Sequence, residues 1–356
     1  MRLAALRQMR NYAPLPKIIL QCGRIFQLSR GVRADLTNHM KIGFIGLGNV
    51  GGKLAGSLIR NGHDVTVRDL DEALVADFVG RGATAAASPR ELGEAVDLII
   101  TCLPSPAASA EVAEGEDGFL PALGPGKVWL EMSTTDHSEV IRLGALVEAT
   151  GAMMMECPVS GGCHRADTGN IAIFAGGKRE AFEFVLPVLT TMGRRILHTG
   201  PLGTASQLKV MTNYLCTVHL VALAEALTVC KAAGMDMNTT YEAIRISSGN
   251  SFVHETESQV ILNGSRDINF TMDLVSKDVG LFDSIAQAHH VPVELSPLIV
   301  KIFKEGEAQF GSREFSPNII RRYEEPLGIK VLGTGFPADM VDDEPEERGY
   351  EVVPKR

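Results

Sequence analysis

From Lys41 onward the chain alternates short apolar runs with amphipathic stretches. The runs KIGFIG, DVTVRD, VDLIITCL, KVWLEM and AMMMECPV are rich in Val, Ile, Leu and Met and are bounded by Gly/Pro turns such as LGPGK. Near-continuous apolar runs of this kind read as strands buried on both faces of a parallel sheet, and the stretches between them as crossover helices. The first such helix is expected over Asn49 to Asn61. Repeated strand-helix-strand units predict an α/β fold, a doubly wound and mostly parallel sheet with right-handed crossovers. After Pro201 the strands stop and helical periodicity takes over, at Ala205 to Ala233, Asp273 to His289 and Pro297 to Gln309. That change predicts an all-α C-terminal domain. The expected division is therefore 1–39, 40–201, 202–325 and 326–356.

The first strand runs into Gly46-Leu47-Gly48-Asn49-Val50-Gly51 and then into the first helix. In that context the three glycines have separate tasks. Gly46 permits the tight turn, Gly48 lets a pyrophosphate approach the backbone, and Gly51 lets helix and strand pack closely, while the helix N-terminus offers free N–H groups. This makes the first domain Rossmann-type and implies a dinucleotide. Asp69 ends the second strand about twenty residues beyond the glycines, where a carboxylate can hydrogen-bond both ribose hydroxyls. A 2'-phosphate would be repelled there, so NAD is expected over NADP. Arg68 is the neighbour that could receive such a phosphate, but strand alternation points it to the other face. The simpler role for Asp69 is as a cap on the following helix.

Composition narrows the partners. Apolar residues make up 45% and charged residues 22% of 356, ordinary for globular chains and enough for two cores. The net charge of -9 is opposite to what a phosphate backbone attracts, so nucleic acid is not expected. No uninterrupted apolar run reaches the roughly 18 residues of a membrane span, and none is expected. Six cysteines lie scattered without metal-ligand spacing, which suits free thiols in a reducing compartment and no metal.

Six segments, GFIGLGNVG, CLPSP, EMSTT, CPVSGG, GTASQLKVMTN and MDLVSKDVGL, occur in that order between Lys41 and Gln309. Together they resemble the 3-hydroxyisobutyrate dehydrogenase, or β-hydroxyacid dehydrogenase, family. The resemblance implies NAD-dependent oxidation of a small 3-hydroxy acid to a semialdehyde or 3-oxo acid. It implies Lys209 as general acid/base at the start of the long helix. Asn213 lies four residues on and so on the same face, where it would position substrate. The family often has two adjacent asparagines at this point, and here Thr212 precedes Asn213. Ser160, Gly161 and Gly162 would receive the substrate carboxylate, Leu103, Pro104, Ser133 and Thr134 would line the cofactor, and Lys277 would close over it from the helical domain. A free lysine, with a pKa of about 10.4, is a poor base at neutral pH, so Lys209 must be depressed by burial or by neighbouring charge.

Other readings stay open. The same residues serve reduction of a small semialdehyde acid of the tartronate, succinate or sulfonate type, and a catalytically silent NAD-binding module would keep the fold without the chemistry. His164 and Arg165, just past the glycine pair, could contact a second anionic group on the substrate or face solvent or a subunit. The expected partners are a small anionic substrate and further copies of the chain, as homodimer or homotetramer. Residues 1–39 carry seven Arg and Lys against Asp35 alone. They read as an extension of a cytoplasmic protein, or as a transit peptide that would send it to the mitochondrial matrix. The acid-rich ADMVDDEPEERG reads as a loosely held tail.

Overall fold

Apolar runs do become strands. The structure, a computed structural model, describes residues 40–355, and the basic segment 1–39 lies outside them. Six strands, β1 (Ile42–Ile45), β2 (Val65–Arg68), β3 (Thr84–Ala85), β4 (Leu98–Thr101), β5 (Val128–Glu131) and β6 (Met153–Glu156), lie in the order 3-2-1-4-5-6. All are parallel, as their crossover helices require. Those helices are α1 (Asn49–Arg60), α2 (Glu72–Gly80), α3 (Pro89–Ala95), α4 (Pro106–Glu114) and α5 (His137–Ala149). Phe44, Leu54, Leu98, Ile100 and Leu130 are fully buried in the core between sheet and helices.

Two of these helices begin where local chemistry dictates. Ser105 caps α4 by accepting from Ala108 N at 3.2 Å, with Pro106 in the first turn. Asp136 caps α5 through Ser138 N at 2.9 Å and Glu139 N at 3.2 Å. The caps hold the loops after β4 and β5 above the carboxyl ends of the strands, where a doubly wound sheet binds ligands.

Past β6 come β7 (Val159–Ser160), α6 (Cys163–Asp167), β8 (Ala172–Gly177), α7 (Arg179–Met192) and β9 (Arg195–Gly200). Strand β8 runs antiparallel to β6 and β7, and β9 pairs parallel with β8. The apolar-run pattern singled out neither β8 nor β9. The rest is helical: α8 (Thr204–Ala232), α9 (Met237–Arg245), α10 (Phe252–Asn263), α11 (Met272–Ala288), α12 (Leu295–Phe310) and α13 (Arg321–Leu327). By length and composition α8 could cross a bilayer. Here it is instead the axis of the second core, with Leu220, Ala224 and Leu227 buried against Val275, Val279 and Phe303.

Two expectations fail at the C-terminus. Strands do not stop at Pro201, because β10 (Tyr350–Glu351) adds to the sheet edge parallel to β9. The acidic tail is not loosely held. Its carboxylates meet arginines of the first domain, Glu344 with Arg195 at 3.0 Å and Glu351 with Arg179 at 2.6 Å, while Glu347 pairs with Arg194. Acid-rich composition predicts disorder only for a chain that finds no basic surface, and this one finds it in its own sheet edge.

Where the helical domain hands the chain to that tail, Arg266 and Glu324 form a buried ion pair at 2.6 Å, and Glu324 also accepts from Val331 N at 2.7 Å. Removing the acid strands a buried guanidinium and a buried N–H. Glu324→Ala should therefore lower unfolding free energy by about 3–5 kcal/mol, read as a shift of the denaturant midpoint.

Candidate active site

The chain switches direction across the sheet at β1, flanked by β2 and β4, so a crevice opens there at the carboxyl ends. The glycine turn sits at its mouth. Gly46 has φ +97, and a Cβ on it would meet Cys102 O at 2.3 Å; one on Gly51 would meet Gly46 O at 2.0 Å. Only glycine fits either position. A Cβ on Gly48, by contrast, would meet nothing within 4 Å. Gly48 and Asn49 are exposed, Val50 is half-buried, and α1 opens with neither a side-chain cap nor an acid in its first turn. That leaves an open, donor-rich helix end suited to an anion. Asp69 braces the turn, accepting from Leu47 N at 2.6 Å and from Asp71 N at 2.9 Å; the cap of α2 is Asp71 rather than Asp69. These residues fit a dinucleotide.

Two buried acids, which sequence reasoning missed, end neighbouring strands in register, Glu131 on β5 and Glu156 on β6. Glu131 accepts from Ser133 N at 2.8 Å, and Ser133 Oγ accepts from Leu103 N at 2.7 Å, so one carboxylate sets the loops after both β4 and β5. Glu156 accepts from Ala205 N and Ser206 N, both at 2.9 Å, and from the Ser206 hydroxyl. It thereby holds the first turn of α8. Burial pushes both carboxyls above their usual range, against the pull of these hydrogen bonds. The signal was present: a lone acid closes each of two otherwise apolar runs, VWLE and MMME.

One turn past that anchor, Lys209 is buried, 7% exposed, with its ammonium donating to Asn213 Oδ1 at 2.7 Å. Asn213 Nδ2 donates to Asp278 on α11. Lys277, beside Asp278, reaches across the domain seam to donate to Thr134 O at 3.0 Å and Pro104 O at 3.4 Å, while its ammonium lies 3.1 Å from Asp278 Oδ1. Direct contacts thus run from Asp69 through the glycine turn, Leu103, Ser133, Thr134, Lys277, Asp278 and Asn213 to Lys209. Burial depresses the Lys209 pKa, partly offset by the Asp278 carboxylate. Two turns beyond Lys209 on α8, the Cys216 thiol donates to Glu257 at 3.6 Å, and burial pushes Glu257 up to about 7. Neither Asp278 nor Glu257 was singled out from sequence.

Ser160 lies on β7, which packs against α8, and Gly161 and Gly162 follow with φ +129 and +88. This brings the three toward the helix of Lys209 and Asn213. His164 and Arg165 are placed otherwise. Arg165 is taken by the tail, 3.1 Å from Glu344 and 3.8 Å from Asp342, so its charge is already matched within the chain. Neither ring nitrogen of His164 has a hydrogen-bond partner, and burial lowers its pKa, with Arg165 adding to the shift. It borders a hollow walled by Lys53 and by Asp167, Asp267 and Asp339, mostly acidic and ill-suited to a second substrate anion. Arg165 thus faces the chain's own tail, and His164 faces this acidic hollow. The turn Ser248-Gly249-Asn250 is largely exposed.

A dinucleotide turn at the switch point, with a buried lysine where a helical domain meets it, defines a nicotinamide-dependent oxidoreductase. Comparisons agree. Residues 41–200 match the NAD binding domain of 6-phosphogluconate dehydrogenase, and residues 203–323 match the NAD-binding domain of NADP-dependent 3-hydroxyisobutyrate dehydrogenase. The chain is 34% identical over 299 residues to 2-(hydroxymethyl)glutarate dehydrogenase of Eubacterium barkeri, covering 84% of this chain and 99% of that one. It is 32% identical to the mitochondrial 3-hydroxyisobutyrate dehydrogenase of Mus musculus over 76% of this chain and 83% of that one. A crystal structure of 3-hydroxyisobutyrate dehydrogenase from Salmonella typhimurium superimposes with a TM-score of 0.72 at 28% identity, over 80% of this chain and 100% of that one. The chain belongs to the 3-hydroxyisobutyrate dehydrogenase family of β-hydroxyacid dehydrogenases. Both matched models describe NAD binding, so the chain is an NAD-binding oxidoreductase of this family.

Asp69→Ala removes both the acceptor expected at the ribose and the brace on Leu47 N. NAD affinity should fall about ten- to a hundred-fold and the preference over NADP should narrow, as read by fluorescence titration with each dinucleotide.

Proposed function

We propose that this chain oxidises the alcohol of a small 3-hydroxy acid, of the 3-hydroxyisobutyrate type, to the semialdehyde or 3-oxo acid, with Lys209 as general acid/base. The observation that carries the reading is the buried Lys209 ammonium bonded to Asn213 and backed by Asp278, at the end of a run of contacts from the cofactor turn. The two enzymes named above as relatives act on acids with a hydroxyl on the carbon β to the carboxylate, which is the substrate class expected here.

Gly46, Leu47, Gly48, Asn49, Val50, Gly51 and Asp69 would hold the pyrophosphate and adenosine ends of the cofactor. Leu103, Pro104, Ser133, Thr134 and Lys277 would line its nicotinamide half. Bound NAD supplies the hydride acceptor. Lys209 takes the hydroxyl proton, which burial favours by disfavouring the ammonium form. Asn213 fixes the Lys209 nitrogen and orients the alcohol. The Ser160 hydroxyl and the N–H groups of Gly161 and Gly162 bind the substrate carboxylate, since neither glycine carries a side chain that would keep a ligand from the backbone.

One feature favours the reverse direction, reduction of a small semialdehyde acid. Asp278 supports the ammonium form of Lys209, and that form is the acid the reverse reaction needs. Assembly into a homodimer or homotetramer goes with this reading, supported by exposed Leu208, Leu215 and Val229 along α8. A cytoplasmic setting accompanies it, supported by the free thiols of Cys102, Cys157, Cys163, Cys216 and Cys230.

Oxidation followed by nicotinamide absorbance over a panel of 3-hydroxy acids and their methyl esters should show turnover of free acids and its loss on esterification. No turnover of any acid refutes the reading. Lys209→Ala should lower kcat by about 10²–10⁴ while NAD affinity holds. The oxidation rate should rise with pH along a single limb that belongs to Lys209 and lies below the ordinary lysine value. Asp278→Asn removes a charge that favours the ammonium, so the limb should move to lower pH; a shift to higher pH contradicts the assignment.

A further inference from the structure

The family matches end at residue 323, yet the chain goes on to cross the first domain beside the loop Ser160-Gly161-Gly162. Arg165 is the floor of that loop: a Cβ placed on Gly161 would lie 3.3 Å from Arg165 Cδ. Its guanidinium reaches the tail carboxylates of Glu344 and Asp342 and lies 4.9 Å from the ring centre of Phe252 on α10. Met340 covers the next residue, with its methyl 3.5 Å from where a Gly162 Cβ would stand.

Asp342 ties the exit from α6 as well. Its side chain is 2% exposed and accepts from Thr168 Oγ1 and from Asn170 Nδ2, the latter at 2.8 Å. Asn170 Nδ2 also donates to Glu344 O at 2.8 Å, and Glu344 pairs with Arg195 of β9. The strap is fastened on both sides of this cluster, by Ser265 Oγ donating to Ala338 O before it and by β10 on β9 after it. A buried carboxylate with two side-chain donors and a guanidinium is held in one geometry, unlike an exposed ion pair.

We propose that Asp342, with Glu344, is a positioning residue for the substrate-carboxylate loop: through Arg165, Thr168 and Asn170 the C-terminal strap sets the height and angle of Ser160-Gly161-Gly162 relative to Lys209. This rests on the proposed role of that loop. Asp342 and Glu344 act through Arg165 and the α6 exit, without reaching the substrate. Their charge is spent on Arg165, whose guanidinium is matched within the chain.

The test is the double variant Asp342→Ala/Glu344→Gln in the full chain, with Arg179→Gln as a control that loosens the strap only at its far end. In the double variant KM for the acid should rise roughly ten-fold, with kcat and KM for NAD within about two-fold, because only the held carboxylate is misplaced. The control should leave all three unchanged. Hydrogen exchange of backbone amides 159–168 should quicken in the double variant and not in the control. A fall in melting temperature alone, or equal rises in both KM values, overturns the positioning role. Exchange at 159–168 needs no substrate, so it decides the strap even if no acid is turned over: failure of the proposed function appears as an inactive wild type, and failure of the strap as unchanged exchange.

Discussion

The carboxylate of Glu156 closes the first turn of α8, and the site is arranged around that grip. It ends a buried strand, accepts two backbone N–H groups and a hydroxyl from the helix start, and so fixes where the helix leaves the sheet. Unpaired N–H groups at a buried helix end would be costly, and a carboxylate both satisfies them and complements the positive end of the helix. With that end fixed, Lys209 one turn later has a defined distance from the carboxyl ends of the strands. Gly176 makes the room: a Cβ there would lie 2.3 Å from Glu156 Oε1. Glu131, its neighbour in register, does the equivalent for the loops after β4 and β5 through Ser133 and Leu103. Two adjacent strand ends thus organise the two halves of one cleft.

Across the seam the joining element is also polar. Lys277 donates to two carbonyls of the first domain while its ammonium contacts Asp278, whose other oxygen receives Asn213. A single α11 dipeptide therefore both touches the loops after β4 and β5 and sets the electrostatics of Lys209. Burial alone would favour a neutral amine, and Asp278 moderates that effect. The balance suits a group that must give and take a proton, and it connects domain docking to the protonation of the proposed acid/base.

The C-terminal strap adds a third constraint. Each exposed pair along it contributes little. Asp342 differs because its side chain is buried against Asn170 and lies behind a loop whose glycines supply no side chains of their own to hold it. Such a loop is shaped from behind, and Arg165 and Met340 stand there.

Much of this was legible in residue order. Apolar runs bounded by turns marked β1, β2, β4, β5 and β6, the glycine turn between strand and helix implied a dinucleotide, and the four-residue spacing of Lys209 and Asn213 placed them on one face. These are local patterns, governed by the two- and 3.6-residue periods of strand and helix and by the positive φ that glycine adopts without strain. Pairings between distant residues emerged only once the chain was folded: Glu156 with the start of α8, Asp278 with Asn213, and the tail with Arg165, Arg179 and Arg195. An acid in a sequence carries its charge but not its partner. The same acid-rich stretch is a free tail or a strap according to whether a basic surface folds up beside it, and that depends on the packing of the whole chain.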